Sequence, residues 1–341
     1  MKTLILSALV VLSLPLSAAV PKQSEILKNG VGRYFRTLPK TVATHTAHSL
    51  KMGDYHLLAN EHELFTNRKK TTTPFDVFYA NAKNRFPNQN NNFPFLNTGE
   101  DFQTVMQVEY GVCAGLSISL RRFNLLAYFD PSNKFRERVP TKGSSQWISF
   151  YKNKIDQVLT YKKPAIFPGF SNLREISSRP EFREYFQQHV IKEWADSAAA
   201  LWRGVAQQLY SVTGSFTLKD AQELHKELTY KTKKMGYSPI IWLAKPNSNP
   251  FSSKRWIHVM QVLDVTPRGA QGAYKIKVWN VNYPSHEAVQ EVLVSASGVP
   301  TFEGDKLAEV EVLHFDDFEI GEIIKNKLDF CADHRGLCTK K

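Results

Sequence analysis

Two alternating stretches, Trp256 to Val265 and Ala273 to Asn280, enclose the run Thr266-Pro267-Arg268-Gly269-Ala270-Gln271-Gly272. Apolar–polar alternation has the period of a strand, and two such runs about a Gly/Pro segment predict an antiparallel hairpin. A hairpin dictates which residues face each other, so it constrains the fold more tightly than composition does. Centred on Gly269, it sets Gln261 against Lys277 and His258 against Asn280, on one face of the sheet. A register shifted by two residues places Asn282 opposite His258 instead.

The chain before this hairpin reads as helical. After Cys113, the residues Leu116, Leu120, Phe123 and Ala127 recur at helical spacing, and Asp130-Pro131 marks a stop. Two further helices are predicted at about 181–212 and 217–234, the second capped by Thr217 with Asp220 in its first turn. Pro239 to Ala244 is a short apolar strand candidate. The expected class is therefore α+β: a helix opening at Cys113, a helical middle and a C-terminal antiparallel β-sheet. Hydrophobic residues make up 42% of the chain, enough for a substantial core.

The first nineteen residues read as a secretory leader. Met1-Lys2 precedes an apolar run over residues 4–16, and Ser17-Ala18-Ala19 offers a small-residue cleavage site. The apolar run is too short for a stable span, so no integral membrane segment is expected after cleavage. The expected location is outside the cytoplasm, in the periplasm or extracellular space. Residues 20–98 read as an N-terminal extension, a candidate pro-segment. It closes with a connector rich in Asn and Pro, which includes Pro87-Asn88-Gln89-Asn90-Asn91-Asn92. Residues 99–341 form the expected main domain.

A formal charge of +12 favours contact with acidic surfaces such as nucleic acid, cell-wall polymers or anionic lipid. The basic residues are scattered, however. The clusters Arg68-Lys69-Lys70 and Lys231-Thr232-Lys233-Lys234 read as solvated faces, and no recognition motif points to a nucleic-acid partner. His45 and His48 have metal-ligand spacing but no companion ligands, so they read as solvent-exposed, and no metal or organic cofactor is expected.

There are three cysteines. Cys331 and Cys338 are close enough in sequence to close a short disulfide loop in an oxidising compartment, which leaves Cys113 as a free thiol. A cysteine at a helix N-terminus has its thiolate favoured by the unpaired amides there. It needs a base and a group to orient that base. His258, with Asn280 or Asn282 across the hairpin, supplies both. Asp264 shares the face of His258 but lies six residues along, too far to orient it, and is assigned a structural role.

These residues resemble the papain-like cysteine peptidase superfamily. Its pattern is a glutamine six before the cysteine, a cysteine opening a helix, a histidine on a strand and an asparagine or aspartate on the next. The run Gly111-Val112-Cys113-Ala114-Gly115-Leu116-Ser117 is similar to bacterial secreted members, including the YopT-like effector proteases. Val112 and Ala114 around the nucleophile, and Trp279 before rather than after Asn280, depart from the papain family proper. The resemblance covers roughly residues 100–285, through three short islands. It implies a papain-like fold with residues 99–341 as the catalytic domain, and with Cys113 as nucleophile, His258 as base and Asn280 as orienting residue. Gln107 and the Cys113 backbone amide would form the oxyanion hole.

The implied activity is hydrolysis of amide bonds in a protein or peptide substrate through a thioester intermediate. Cell-wall amidase or endopeptidase action, transglutaminase-type acyl transfer, and a secreted binding module on an inactive scaffold are the alternatives. Gly111-x-Cys113-x-Gly115 also fits a nucleophile elbow, with Thr104 to Glu109 as the preceding strand, but His314 and His334 lack a convincing acid partner.

Overall fold

A computed structural model describes residues 87–97, 99–102, 112–208, 216–234, 238–246, 257–269, 272–283 and 286–312, with residues 323, 326–327, 329–330 and 333–334 near the C-terminus. The leader, His45, His48, Gln107, the segment from Thr104 to Glu109, His314, Cys331 and Cys338 lie outside the described residues.

The fold is mixed helix and sheet. A short helix α1 (Gly99–Phe102) precedes the long α2 (Cys113–Leu126). The chain continues as β1 (Ala127–Asp130), α3 (Ser145–Leu159), β2 (Ala165–Pro168) and the single turn α4 (Leu173–Ser177). Helices α5 (Pro180–Gln208) and α6 (Leu218–Thr229) complete the helical part. The predicted cap of α6 is present as a full capping box, with the Thr217 hydroxyl and Asp220 carboxylate satisfying each other's backbone amides. Beyond α6 a π-helical turn, Tyr230–Lys234, carries the chain toward the sheet.

Seven strands build that sheet: β3 (Ile240–Ala244), β4 (Ile257–Pro267), β5 (Tyr274–Trp279), β6 (Val289–Val294), β7 (Pro300–Phe302), β8 (Asp305–Lys306) and β9 (Glu309–Val312). Their order is β8-β7-β6-β5-β4-β3-β9, with every neighbouring pair antiparallel. The three strands expected from the sequence are present, and β4 and β5 pair as the expected hairpin. A separate parallel pair, β1 with β2, lies in the helical part.

Helix α2 ends one turn earlier than its sequence suggests. Ala127 to Asp130 leaves the helix and pairs with Ala165 to Pro168, a partner that local spacing cannot reveal. Every residue of α2 from Ala114 to Leu126 is buried. A helix buried all round must place its polar groups on partners. Arg122 does so through Glu193 at 2.5 Å and the Leu159 carbonyl at 2.8 Å.

The connector reading fails for residues 87–97. Phe93 and Phe95 are buried and stacked, with ring centroids 4.8 Å apart. Phe93 also packs on Phe123 of α2 and Phe186 of α5. Asn88, which looked like loop punctuation, accepts from the backbone amides of Asn90 and Asn91. Asn92 accepts from Arg174. The asparagines shape an irregular segment whose phenylalanines serve the core.

The 231–234 cluster is also not uniformly solvated. Lys231 is buried and paired with Glu227 at 2.9 Å, one helical turn away. Among the described residues no helix is long and apolar enough to cross a membrane.

Candidate active site

Helix α2 begins at Cys113, behind Val112, which provides no side-chain cap. The first amides of such a helix are left for whatever lies at its end. Here they meet the Cys113 sulfur: the backbone amides of Val259, Ala114 and Cys113 itself favour its thiolate. Burial opposes them and wins, pushing the thiol up to about 11. Cys113 is thus held as a thiol at neutral pH, although its residue remains partly exposed.

The Val259 contact puts the sulfur beside β4, next to the residue that follows His258. The sheet explains why. Strand β5 pairs with β4 from Pro267 back to Gln261 and then stops. Beyond that point the edge of β4 is taken by α2. Ser117, one turn after Cys113, donates from its hydroxyl to the Val259 carbonyl at 3.2 Å. The Gln261 side-chain amide donates to the Ser117 carbonyl at 2.6 Å. Ala114 and Ile118 pack with Ile240, Trp242, Ala244 and Val259 on the same interface. The helix is pinned to the strand by polar contacts on its Cys113–Ser117 face.

His258 is buried, and its Nε2 lies 2.7 Å from Asn280 Oδ1. Burial lowers its pKa, and the Asn280 contact only partly opposes this, so the imidazole rests neutral. Of the two asparagines left open by the sequence, Asn280 is the one that meets His258, but not by the expected pairing. Gln261 faces Trp279, two residues away from the expected Lys277, and a bulge between Val262 and Asp264 alters the register further toward the turn. By ladder counting Asn282 would oppose His258. Instead the chain leaves β5 after Trp279 and turns, with the Tyr283 amide on the Asn280 carbonyl at 3.2 Å. Asn280 reaches back from that turn to the imidazole. Asn282 is turned to Asn97, whose side-chain amide donates to it at 2.7 Å.

The polarity of the Asn280 amide is pinned from both ends. Its oxygen accepts from the Asn282 backbone amide at 3.0 Å, which only an oxygen can do. Its nitrogen donates to Gln290 Oε1 at 2.7 Å. His258 Nε2 must then carry the hydrogen, and the neutral ring keeps its lone pair on Nδ1. Gln290 was not legible in the sequence. It sits on β6 opposite Val278, and only the β5–β6 register brings it to Asn280.

This chain of amides predicts a measurable tautomer. Gln290→Leu leaves the Asn280 nitrogen without its acceptor and frees the amide to turn. The Nε2–H form of His258, read by 15N NMR of the imidazole, should fall, and Gln290→Glu should restore it. An unchanged tautomer in Gln290→Leu would mean that the Asn282 amide alone holds Asn280.

Asp264 contacts Lys233 at the surface. His334 stacks on Phe330 with ring centroids 4.2 Å apart, and its Nδ1 lies 3.1 Å from the Phe330 carbonyl oxygen. Among the described residues no group of three histidine, cysteine or acidic side chains could hold a metal ion. The chain matches no family model, no curated protein and no solved structure.

Proposed function

We propose that the protein is a papain-like thiol hydrolase that cleaves amide bonds in a protein or peptide, with Cys113, His258 and Asn280 as its triad. The observation that carries this reading is the buried His258–Asn280 pair at 2.7 Å, one residue along the strand from the amide that meets the Cys113 sulfur. A buried histidine needs a partner, and the hydrogen bond to that partner decides which ring nitrogen carries the hydrogen. Here the ring is held with Nδ1 as the acceptor, the state a general base requires.

In the proposed reaction His258 Nδ1 takes the thiol proton as the sulfur attacks the carbonyl carbon. The tetrahedral oxyanion is met by the Cys113 backbone amide and, on the family analogy, by Gln107. Collapse forms the thioester, and His258 gives the proton to the departing amine. His258 then removes a proton from water, which attacks the thioester; the C–S bond breaks, the acid is released, and His258 returns the proton to the departing Cys113 sulfur. Burial holds the thiol up and the imidazole down, so the resting pair is neutral and the proton moves during attack.

The test is the rate of Cys113 alkylation by iodoacetamide against pH, followed by intact mass. Without a base, labelling follows the thiolate, whose fraction rises about tenfold per pH unit up to the thiol pKa. His258→Ala should therefore label slowly at pH 7 and accelerate toward about 11. Wild type should label about 100-fold faster at pH 7, the lower end of what a positioned base contributes. Identical profiles would remove His258 from the reaction.

A further inference from the structure

The loop between β1 and α3 carries Lys134, Phe135, Arg136, Arg138 and Lys142, all exposed. Among the described residues none of the four cations has an ion-pair partner. The acidic groups of the loop are already occupied: buried Asp130 accepts from the Phe135 amide at 3.0 Å, and Glu137 pairs with Lys154 of α3 at 2.5 Å. The loop therefore presents positive charge without local neutralisation.

The loop is also built rather than loose. The Asn133 amide donates to the Asp130 carbonyl at 3.1 Å, and the Arg136 amide donates to the Asn133 carbonyl at 3.0 Å, giving two successive turns. The Asn133 side chain closes the loop, donating to the Glu137 carbonyl at 2.9 Å and accepting from the Glu137 amide at 3.0 Å. Arg136 is held at φ 52°, a region unfavourable for its side chain. The second turn, Asn133 to Arg136, places Lys134 and Phe135 at its corner. Phe135, 39% exposed, thus stands at the corner of a turn between two cationic residues in sequence.

We propose that this loop docks the protein on an anionic lipid surface, with Phe135 entering the interface and the four cations meeting headgroup phosphates. A basic residue near such a surface is attracted through the surface potential, within about a Debye length. A preformed loop loses little entropy on docking. Two cationic residues flank Phe135 in the turn and two more follow within seven residues, so positive charge and an exposed apolar side chain lie in one short loop, the combination an anionic lipid interface takes. The loop contains none of the triad residues, so the proposal does not depend on the hydrolase reading.

The test is co-sedimentation of the purified protein with phosphatidylcholine vesicles, with and without about 30% phosphatidylserine. The variant Lys134→Ala/Phe135→Ser/Arg136→Asn removes two cations and the ring, and asparagine tolerates the left-handed backbone at 136. All three side chains are exposed, and an unchanged thermal melt verifies folding. Binding to the anionic vesicles alone is expected, weakened at least about tenfold in the variant and lost at high salt. In Phe135→Trp, anionic vesicles should blue-shift the fluorescence added by the new indole. Equal binding by variant and wild type would assign the attraction to the diffuse net charge and overturn the proposal. Failure to bind anionic vesicles would also overturn it. If a single-stranded oligonucleotide instead bound through these residues, the loop would be a polyanion site.

Discussion

Gly115→Ala is expected to leave little or no folded protein. On an exposed helix this exchange stabilises by about 1 kcal/mol, because alanine loses less backbone entropy than glycine. Here a β-carbon at 115 would lie 2.0 Å from the Val190 carbonyl oxygen, 2.8 Å from the Trp194 nitrogen and 2.9 Å from the Trp194 β-carbon. The first two are backbone atoms of α5, so no rotamer change relieves the overlap. Helix α5 would have to move off α2, opening the contacts around Phe93, Phe123 and Phe186. Destabilisation above about 4 kcal/mol is expected, a large share of the stability of an ordinary domain. Urea unfolding measures it. A loss below about 1 kcal/mol would show that the two helices do not approach this closely in solution.

Cys113→Ala is expected to abolish turnover while the protein stays folded. The thiol is partly exposed, and alanine is helix-favouring, so stability should change by less than about 1 kcal/mol. The chemical effect is of another order. In the proposed reaction no thioester can form without the sulfur, which leaves only binding and oxyanion stabilisation. The expected fall in rate is on the order of 10⁴- to 10⁶-fold. Unfolded casein and a peptidoglycan digest, with products read by mass spectrometry, would follow turnover and separate protein from cell-wall peptide as substrate. Turnover by Cys113→Ala equal to wild type would end the thiol-hydrolase reading. The contrast with Gly115→Ala, two residues away, separates a chemical role from a packing role on one helix.

The same neighbourhood shows where sequence reading reaches its limit. Thr217 and Asp220 form their capping box as expected, because a cap depends on residues three apart. The β4–β5 hairpin also forms, since alternation and turn residues are local properties. Its register does not follow from the same information. A bulge and an early end to β5 shift the ladder, and Asn280 reaches His258 from a turn rather than from the facing strand position. The asparagines before Phe93 carried turn signals, yet the burial of Phe93 and Phe95 depends on α2 and α5 arriving beside them.

The sequence alone was enough to expect a mixed fold with its antiparallel sheet after Gly236, and to put forward Cys113 and His258 with either Asn280 or Asn282 as candidates, but not the parallel pair β1 and β2 within the helical part. Those conclusions rest on periodicity, residue chemistry and a short hairpin, all properties of nearby residues. Tertiary structure decided which edge of β4 the Cys113 helix occupies, which hydrogen-bond partner Asn280 takes, and that Gln290 fixes its polarity. It also decided that the thiol rests protonated, because burial outweighs the amides that favour its charge. Each of these depends on elements distant in sequence being brought together, where desolvation and partner geometry, rather than local propensity, set the energy.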